Sequence, residues 1–393
     1  MLTRLSLSRE VLRWSRRLAK VHFLQPATPP EVTVICRSTM GDPVKPVPFL
    51  DVRIQEHDLH SGIQTLLNKL RPCWELNSIK MKFFTDGITN KLLGCYTDES
   101  MEDVILVRVY GNMTELFVDR ENEVKSFQVL HAHGCAPELY CTFQNGICYQ
   151  FVKGTVLDKW LVREPSIYRL VAKEMARIHS IKPEQKLPLK PVIWKKLSSY
   201  MNLLEGAFDA SPERQSIYVN EVPAFDILSK EIEALKNHLS NLKSPVVLCH
   251  NDLLCKNIIY NEWKGFVRFI DYEYTGYNYQ AYDIGCHFNE FAGVSDVDYT
   301  LCPSEEMQYD WLKTYLETYR ECNSVEGAVS EAEIQTLYVQ VNKFGMASHF
   351  SWGLWALLQA RYSTIDFDFL RYAAARFKQY FKKKDEIWAM KLP

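Results

Sequence analysis

The 393-residue sequence predicts an α+β protein of two lobes, a small β-rich one followed by a larger, mainly helical one. Three observations carry this. Short β-rich runs and turn residues crowd the stretch from about residue 58 to Gly154, the chain beyond Gly154 leans to helical periodicity, and a single β-rich island at residues 246–271 interrupts it. The length accommodates two lobes of about 100 to 200 residues. A content of 47% hydrophobic and 24% charged residues excludes a collagen-like, wholly disordered or disulfide-dense chain.

The chain opens on a basic segment with Arg4, Arg9, Arg13, Arg16, Arg17 and Lys20 against Glu10 alone. This composition fits a mitochondrial transit peptide as well as a solvated tail. Pro26, Pro29, Pro30, Pro43, Pro46 and Pro48 then mark a linker, so residues 1–57 are expected to be disordered. A helix through Ile63, Leu66, Leu67 and Leu70 must stop at Pro72. Strands at 81–84 and 92–96 flank Thr85-Asp86-Gly87-Ile88-Thr89-Asn90, and 104–110 is a third strand closed by Gly111. Thr114 can cap a helix through Val118, Val124, Phe127 and Leu130, ended by Gly134 and Pro137. Two further strands near 139–143 and 147–152 complete a first lobe at 58–153. The second lobe, 154–393, carries helices at 170–181, 225–242, 308–319, 331–359 and 369–381.

The formal net charge of −2 divides into +5 over the first 50 residues and −7 over the rest, so no global basic field recruits nucleic acid. A mildly acidic body suits a cationic substrate. The 11 cysteines are scattered without zinc-ligand spacing, and a reducing compartment is their simplest home. No apolar run is long enough to span a bilayer. The expected location is the cytoplasm, with mitochondrial targeting by residues 1–25 as the alternative.

The β-rich island carries the chemistry. A short buried strand at 246–248 leads into His250-Asn251-Asp252, with Asn257 five residues past the aspartate. Two strands at 258–260 and 266–270, joined through Asn261 and Gly265, deliver Asp271 and fold it back beside Asn257. A carboxylate on a loop, an amide oxygen after it and a second carboxylate at a strand end make a positioned base with two hard oxygen ligands for Mg²⁺. This is the H-x-D-x-x-x-x-N loop and later metal-binding aspartate of kinase-like phosphotransferases, with Asp252 as base and Asn257 and Asp271 on the metal. The bland reading, a capped loop and a solvated strand end, explains neither offset.

In the first lobe the turn holding Gly87, Thr89 and Asn90 offers backbone N–H groups and short polar side chains to phosphate. Arg108 on the third strand and Glu123 on the next helix can pair as a strand lysine and helix glutamate do in protein kinases. Near the end, Trp352 and Trp355 share a helix face, with Phe367 and Tyr372 beyond. An indole wall beside a carboxylate can hold an ammonium group, although such a pair alone more often belongs to an aromatic core seam.

Taken in order, 84–91 (FTDGITNK), 106–111 (LVRVYG), 250–257 (HNDLLCKN), 270–274 (IDYEY) and the Trp352/Trp355 segment resemble the choline/ethanolamine kinase family, over about residues 58–385. The resemblance implies a two-lobed protein-kinase-like fold that transfers the γ-phosphate of ATP, with Mg²⁺, to the hydroxyl of a small amino alcohol. It makes Asp252 the base and Asn257 and Asp271 the metal ligands. Gly87, Thr89, Asn90, Arg108 and Glu123 become the phosphate clamp, and Gln150, Phe151 and Val152 the hinge beside adenine. Tyr274, Glu290, Trp352, Trp355 and Tyr372 become the ammonium pocket. A homodimer is compatible with it.

A quaternary head wants aromatic faces all round, whereas a primary ammonium also wants hydrogen-bond acceptors. After Glu290 the chain reads Phe291-Ala292-Gly293-Val294-Ser295-Asp296, without the further tyrosines of choline kinases, which favours ethanolamine over choline or a dual specificity. Two positions depart from the family pattern. Cys286 stands where relatives usually have Asn, and Ser351 where they have a bulky apolar residue, so order near Glu290 is expected to suffer. A protein kinase is disfavoured by Arg108 in place of lysine and by the lack of Asp-Phe-Gly. A noncatalytic binding protein is disfavoured by the presence of Asp252, Asn257 and Asp271.

Overall fold

Hydrophobic alternation builds the first sheet. The computed structural model describes residues 46–84, 90–98, 103–111, 118–183, 189–206, 208, 211–363 and 365–393. They fall into two units, one comprising the chain up to Val156 together with Ile259–Glu273, the other Leu157–Ile258 together with Tyr274–Pro393.

In the first unit, β1 (Phe49–Leu50), β2 (Lys80–Phe84), β3 (Lys91–Tyr96), β4 (Ile105–Val109), β5 (Leu139–Phe143) and β6 (Gly146–Gln150) form one sheet in the order β1-β5-β6-β4-β3-β2. All neighbours are antiparallel except β1 and β5. Leu93 and Cys95 alternate onto the same core as Ile105, Val107 and Val109, where α1 (Leu59–Leu70) lays Ile63, Leu66 and Leu67. Each such aliphatic side chain contributes about 1.5–3 kcal/mol by leaving water. The other helix, α2 (Arg120–Ala132), starts at Asp119, whose side chain accepts from the Asn122 N–H. The expected cap, Thr114, lies outside the described residues.

The linker expectation for residues 46–57 is overturned. β1 pairs with β5 at Phe49↔Thr142 and Leu50↔Phe143, and Val52 and Ile54 are buried in the α1 core. The Asn145 amide brackets Ile54, accepting from its N–H at 3.0 Å and donating to its carbonyl at 2.9 Å. Pro46 and Pro48 only bias the chain toward extended backbone, and the apolar alternation that follows decides the outcome.

A second, three-stranded sheet, order β10-β9-β7, joins β7 (Thr155–Val156) to the hairpin of β9 (Ile258–Asn261) and β10 (Phe266–Phe269), with Thr155↔Tyr260 and Val156↔Ile259 in register. The hairpin assigned by sequence to the larger lobe therefore lies with the first unit, and so does Asp271.

The second unit is helical: α3 (Pro165–His179), α4 (Val192–Leu204), α5 (Pro212–Glu221), α6 (Phe225–Ser240), α7 (Gln280–Glu290), α8 (Glu305–Cys322), α9 (Glu331–Tyr362) and α10 (Phe369–Trp388). Among its described residues, β8 (Val246–Cys249) pairs antiparallel with β11 (Gly276–Tyr279). Most of the 32-residue α9 from Val339 to Ala360 is buried, as expected of a helix apolar all round. A capping box between Ser330 and Glu333 starts it. α4, α5, α7 and β11 were not read from the sequence. Almost all of α7 is buried, so it has no polar stripe to show a period, and β11 is four residues long.

Candidate active site

The loop presenting Asp252 begins where β8 ends, and a buried carboxylate fixes it. Asp283 on α7 accepts the backbone N–H of His250 at 2.8 Å and of Asn251 at 2.6 Å. It is held in turn by His179 Nε2 at 2.9 Å, whose Nδ1 meets the Tyr315 hydroxyl at 2.7 Å. Burial would raise the Asp283 carboxyl; the His179 hydrogen bond, the His179 and His250 charges and the Asn251 N–H outweigh it and hold the group below the usual carboxylate range. His179, Cys249 and Asp283 cluster closely enough to suggest metal ligation. Their atoms are instead committed to these bonds, and Cys249 Sγ faces the Asn278 carbonyl at 3.5 Å.

Asn251 adopts left-handed backbone, φ 67°, which favours Asn among residues with a side chain. Its side chain locks that turn, donating to the carbonyls of Tyr274 at 3.0 Å and Gly276 at 3.2 Å and accepting from Asn278 at 2.8 Å. His287 Nδ1 donates to the Leu253 carbonyl at 2.9 Å. Asp252 is thereby flanked by two anchored residues while it stays partly open. Asn257 Nδ2 donates to the Asp252 carbonyl at 2.9 Å, which leaves the amide oxygen as a ligand atom.

The first unit holds a buried charge cluster. Arg108 Nη1 lies 3.2 Å from Glu123 and 2.8 Å from Asp271, and its Nη2 lies 2.5 Å from Glu273. Arg120 Nη1 bridges Glu123 at 2.8 Å and Glu273 at 2.9 Å, and Asn90 donates to Glu273 at 3.1 Å. The expected Arg108–Glu123 pair is thus present, enlarged to two guanidiniums among three carboxylates. Burial would lower Arg108, but the charges of Asp271, Glu273 and Glu123 raise it well above its usual range. Burial would raise Glu273, but Arg108, Arg120 and the Asn90 hydrogen bond hold it low. Burial pushes Asp271 up to about 6, with Arg108 opposing and Glu273 and Glu123 adding to it. Asp271, with φ 67°, keeps 34% of its side-chain surface accessible. Asp271 and Arg108 are placed by one unit, Asp252 and Asn257 by the other.

The aromatic residues form a single cluster in the second unit. Trp355 Nε1 donates to the Tyr274 hydroxyl at 3.0 Å, and Trp352 meets Tyr274 and Trp355 edge-on at 5.5 and 5.2 Å. Glu290 pairs with the fully buried Arg376 at 2.8 Å, and that guanidinium lies 5.5 Å from the Tyr372 ring centroid. Burial pushes the Tyr372 phenol well up; Arg376 opposes, and the carboxylates of Glu290 and Asp252 add to the rise.

Cys286 is hydrogen-bonded on two sides. Its Sγ accepts the Trp352 indole N–H at 3.3 Å and faces the Asn251 carbonyl at 3.7 Å, so the thiol bonds in both directions as an amide would. Ser351 is hydrogen-bonded with Tyr282. Glu290 itself is buried. Gly87 and Thr89 lie outside the described residues. Gln150, exposed, ends β6, and Phe151 and Val152 follow toward β7, with the Phe151 N–H on the Val104 carbonyl at 3.3 Å and its ring stacked on Phe84. Sequence reading missed Arg120, Glu273, Asp283 and Arg376. Arg120 precedes Glu123 by three residues and Arg376 follows Tyr372 by four, helical spacings that were available as a signal.

A β-rich unit with a strand arginine on a helix glutamate, and a helical unit whose H-x-D loop hangs on a buried aspartate, define a kinase-like phosphotransferase. The family model described as choline/ethanolamine kinase matches residues 81–381. The chain belongs to the choline/ethanolamine kinase family. It is 56% identical to ethanolamine kinase 1 of Homo sapiens over 350 residues, covering 88% of this chain and 77% of that protein. It is 53% identical to ethanolamine kinase 2 of Homo sapiens, covering 91% of this chain and 90% of that protein. Among solved structures, an ethanolamine kinase of Plasmodium vivax superposes with a TM-score of 0.73 at 30% identity, covering 83% of this chain and 89% of that one. Among the described residues no helix is long and apolar enough to cross a membrane.

Proposed function

We propose that the protein transfers the γ-phosphoryl group of ATP to the hydroxyl of ethanolamine, giving phosphoethanolamine, the first step toward phosphatidylethanolamine. The observation that carries this reading is that one unit holds both the Asp252 loop, anchored on Asp283, and the aromatic cluster of Tyr274, Trp352 and Trp355, with Glu290 set by Arg376. An amino alcohol has two ends, and this unit offers a base for the hydroxyl and aromatic walls with a carboxylate for the ammonium.

Asp252 accepts the hydroxyl proton as the oxygen attacks the γ-phosphorus, the bond to the bridging oxygen breaks, and ADP leaves. The Asp283 and Asn251 bonds keep the loop rigid so that the base needs no reorganisation. Tyr274, Trp352, Trp355 and Tyr372 screen the ammonium from water, and Glu290, set by Arg376, attracts it. Arg108 and Glu123 support the phosphate-binding strand, with Gly87, Thr89 and Asn90 on the phosphates and Gln150, Phe151 and Val152 beside adenine.

Each proposed ligand suits magnesium by its own chemistry: the Asn257 amide oxygen, its nitrogen tied elsewhere, and the accessible Asp271 carboxylate are hard oxygen donors that would hold the ion. When bound, the metal offsets charge on the phosphates. A cytoplasmic location and a homodimer join this proposal by family resemblance alone.

Purified protein should turn over ethanolamine faster than choline with ATP and Mg²⁺. Asp252→Asn should lower kcat by about 10²- to 10⁴-fold with its melting temperature kept. Faster choline turnover would overturn the substrate assignment, and an active Asp252→Asn the mechanism.

A further inference from the structure

Lys196 on α4 reaches the aromatic cluster. Its ammonium lies 4.3 Å from the Tyr274 ring centroid, well inside the range of a cation–π contact. The delivery is built in. Ile193, Leu197, Tyr200, Met201 and Leu204 bury one face of α4, and Trp194 Nε1 donates to the Tyr279 hydroxyl at 3.2 Å on β11, five residues after Tyr274. Lys196 itself is half-buried, with an apolar stem suited to lie along the helix surface while its head meets the ring.

We propose that Lys196 is a specificity-determining residue: it covers one face of Tyr274 with the protein's own ammonium and so selects a primary over a quaternary ammonium substrate. The inference rests on the reading of Tyr274 as a wall of the ammonium pocket.

The Tyr274 ring has two faces and one hydroxyl. The hydroxyl is taken by Trp355, and Tyr274 as a whole is 8% exposed. With Lys196 over one face, at most one remains. A trimethylammonium head has no N–H and binds through contact of its methyl shell with several aromatic faces, so losing one removes a share of its whole attraction. A primary ammonium has three donors and draws most of its binding from acceptors such as Glu290, and it loses less. Repulsion from the lysine charge acts on both heads, but only the primary one recovers it through charge-assisted hydrogen bonds. This is selection by a feature set against the wrong ligand.

The test measures kcat/KM for ethanolamine and choline, and inhibition by tetramethylammonium, in the full-length wild type, Lys196→Met, Lys196→Arg and Tyr274→Leu. Lys196→Met keeps the stem and removes the charge. It should shift the ratio toward choline by about tenfold and strengthen tetramethylammonium inhibition by a similar factor, whereas Lys196→Arg keeps the wild-type preference. A cation that merely stabilises the helix would change the melting temperature and leave both readouts alone. Tyr274→Leu should raise KM for both substrates. If it does and the Lys196→Met ratio stays within about twofold of wild type, the role of Lys196 is overturned and the pocket stands. If Tyr274→Leu leaves both KM values unchanged, the pocket reading fails and the inference falls with it.

Discussion

His287 is fully buried against the rings of Phe288, Phe291 and Trp311, and this burial pushes its imidazole down to about 4, although the Leu253 carbonyl pulls the other way. It is therefore neutral at pH 7, and the carbonyl partner identifies Nδ1 as the protonated nitrogen. In the unfolded chain the same group titrates near 6.5. Between those values the unfolded state binds more protons, so stability rises with pH. The contribution is complete above pH 6.5 and is lost as pH falls to about 4, amounting to on the order of 3 kcal/mol. The depressed Asp283 carboxyl acts in the same direction at lower pH. His287→Asn preserves a donor near the Nδ1 position without a titrating group, so its melting temperature should fall less steeply from pH 6.5 to pH 4. Equal slopes for the two proteins would refute the assignment. Residues of this kind are what sequence reading misses. Asp252, Asn257 and Asp271 were legible because their offsets lie within 20 residues of chain, whereas Asp283, His179 and Lys196 act on partners 32 to 136 residues away.

The element that gathers these groups is α7, which carries Asp283, Cys286, His287 and Glu290 within 11 residues. It can do so because it crosses α9 at Gly285, where a Cβ would stand 2.6 Å from the Val341 carbonyl oxygen and 2.8 Å from the Gly345 nitrogen. Both are helix backbone and cannot turn aside. Gly285→Ala should therefore force the helices apart, costing about 1–3 kcal/mol or more and displacing Asp283 and Glu290 together, so that kcat falls and KM rises. Gly345 on the opposite helix is the control. A Cβ there meets Asn289 side-chain atoms no closer than 3.6 Å, an ordinary contact, and alanine favours the helix by about 1 kcal/mol. Calorimetric melting that shows equal losses for the two variants would rule out this account of the crossing. Elements with one polar and one apolar face, such as α1 and α6, were legible from period alone. The crossing helices were not equally so: α9 was expected at 331–359, but α7 is short and buried nearly all round.

At the scale of the molecule, the sequence separates a basic start from an acidic body, and the structure redraws where that body begins. The division by chain order put the linker's end at residue 57 and the whole catalytic island in the second lobe. The first unit instead starts its sheet at Phe49 and takes back the hairpin ending at Asp271, because β9 pairs with β7 and Arg108 holds the hairpin's carboxylates. Such pairings between distant stretches leave no local signal. Two truncations separate the readings. A chain beginning at residue 46 retains every described residue and should keep wild-type kcat, KM and melting temperature. A chain beginning at residue 58 loses β1, the buried Val52 and Ile54, and both partners of the Asn145 amide. At about 1.5–3 kcal/mol for each buried aliphatic side chain, the loss is several kcal/mol, and each kcal/mol lowers the melting temperature by about 2–4 °C at this size. The shorter chain should melt at least about 5 °C below the longer one. Identical melting would return residues 46–57 to the linker, and inactivity of the longer chain would give the basic segment a catalytic part that nothing in either unit requires.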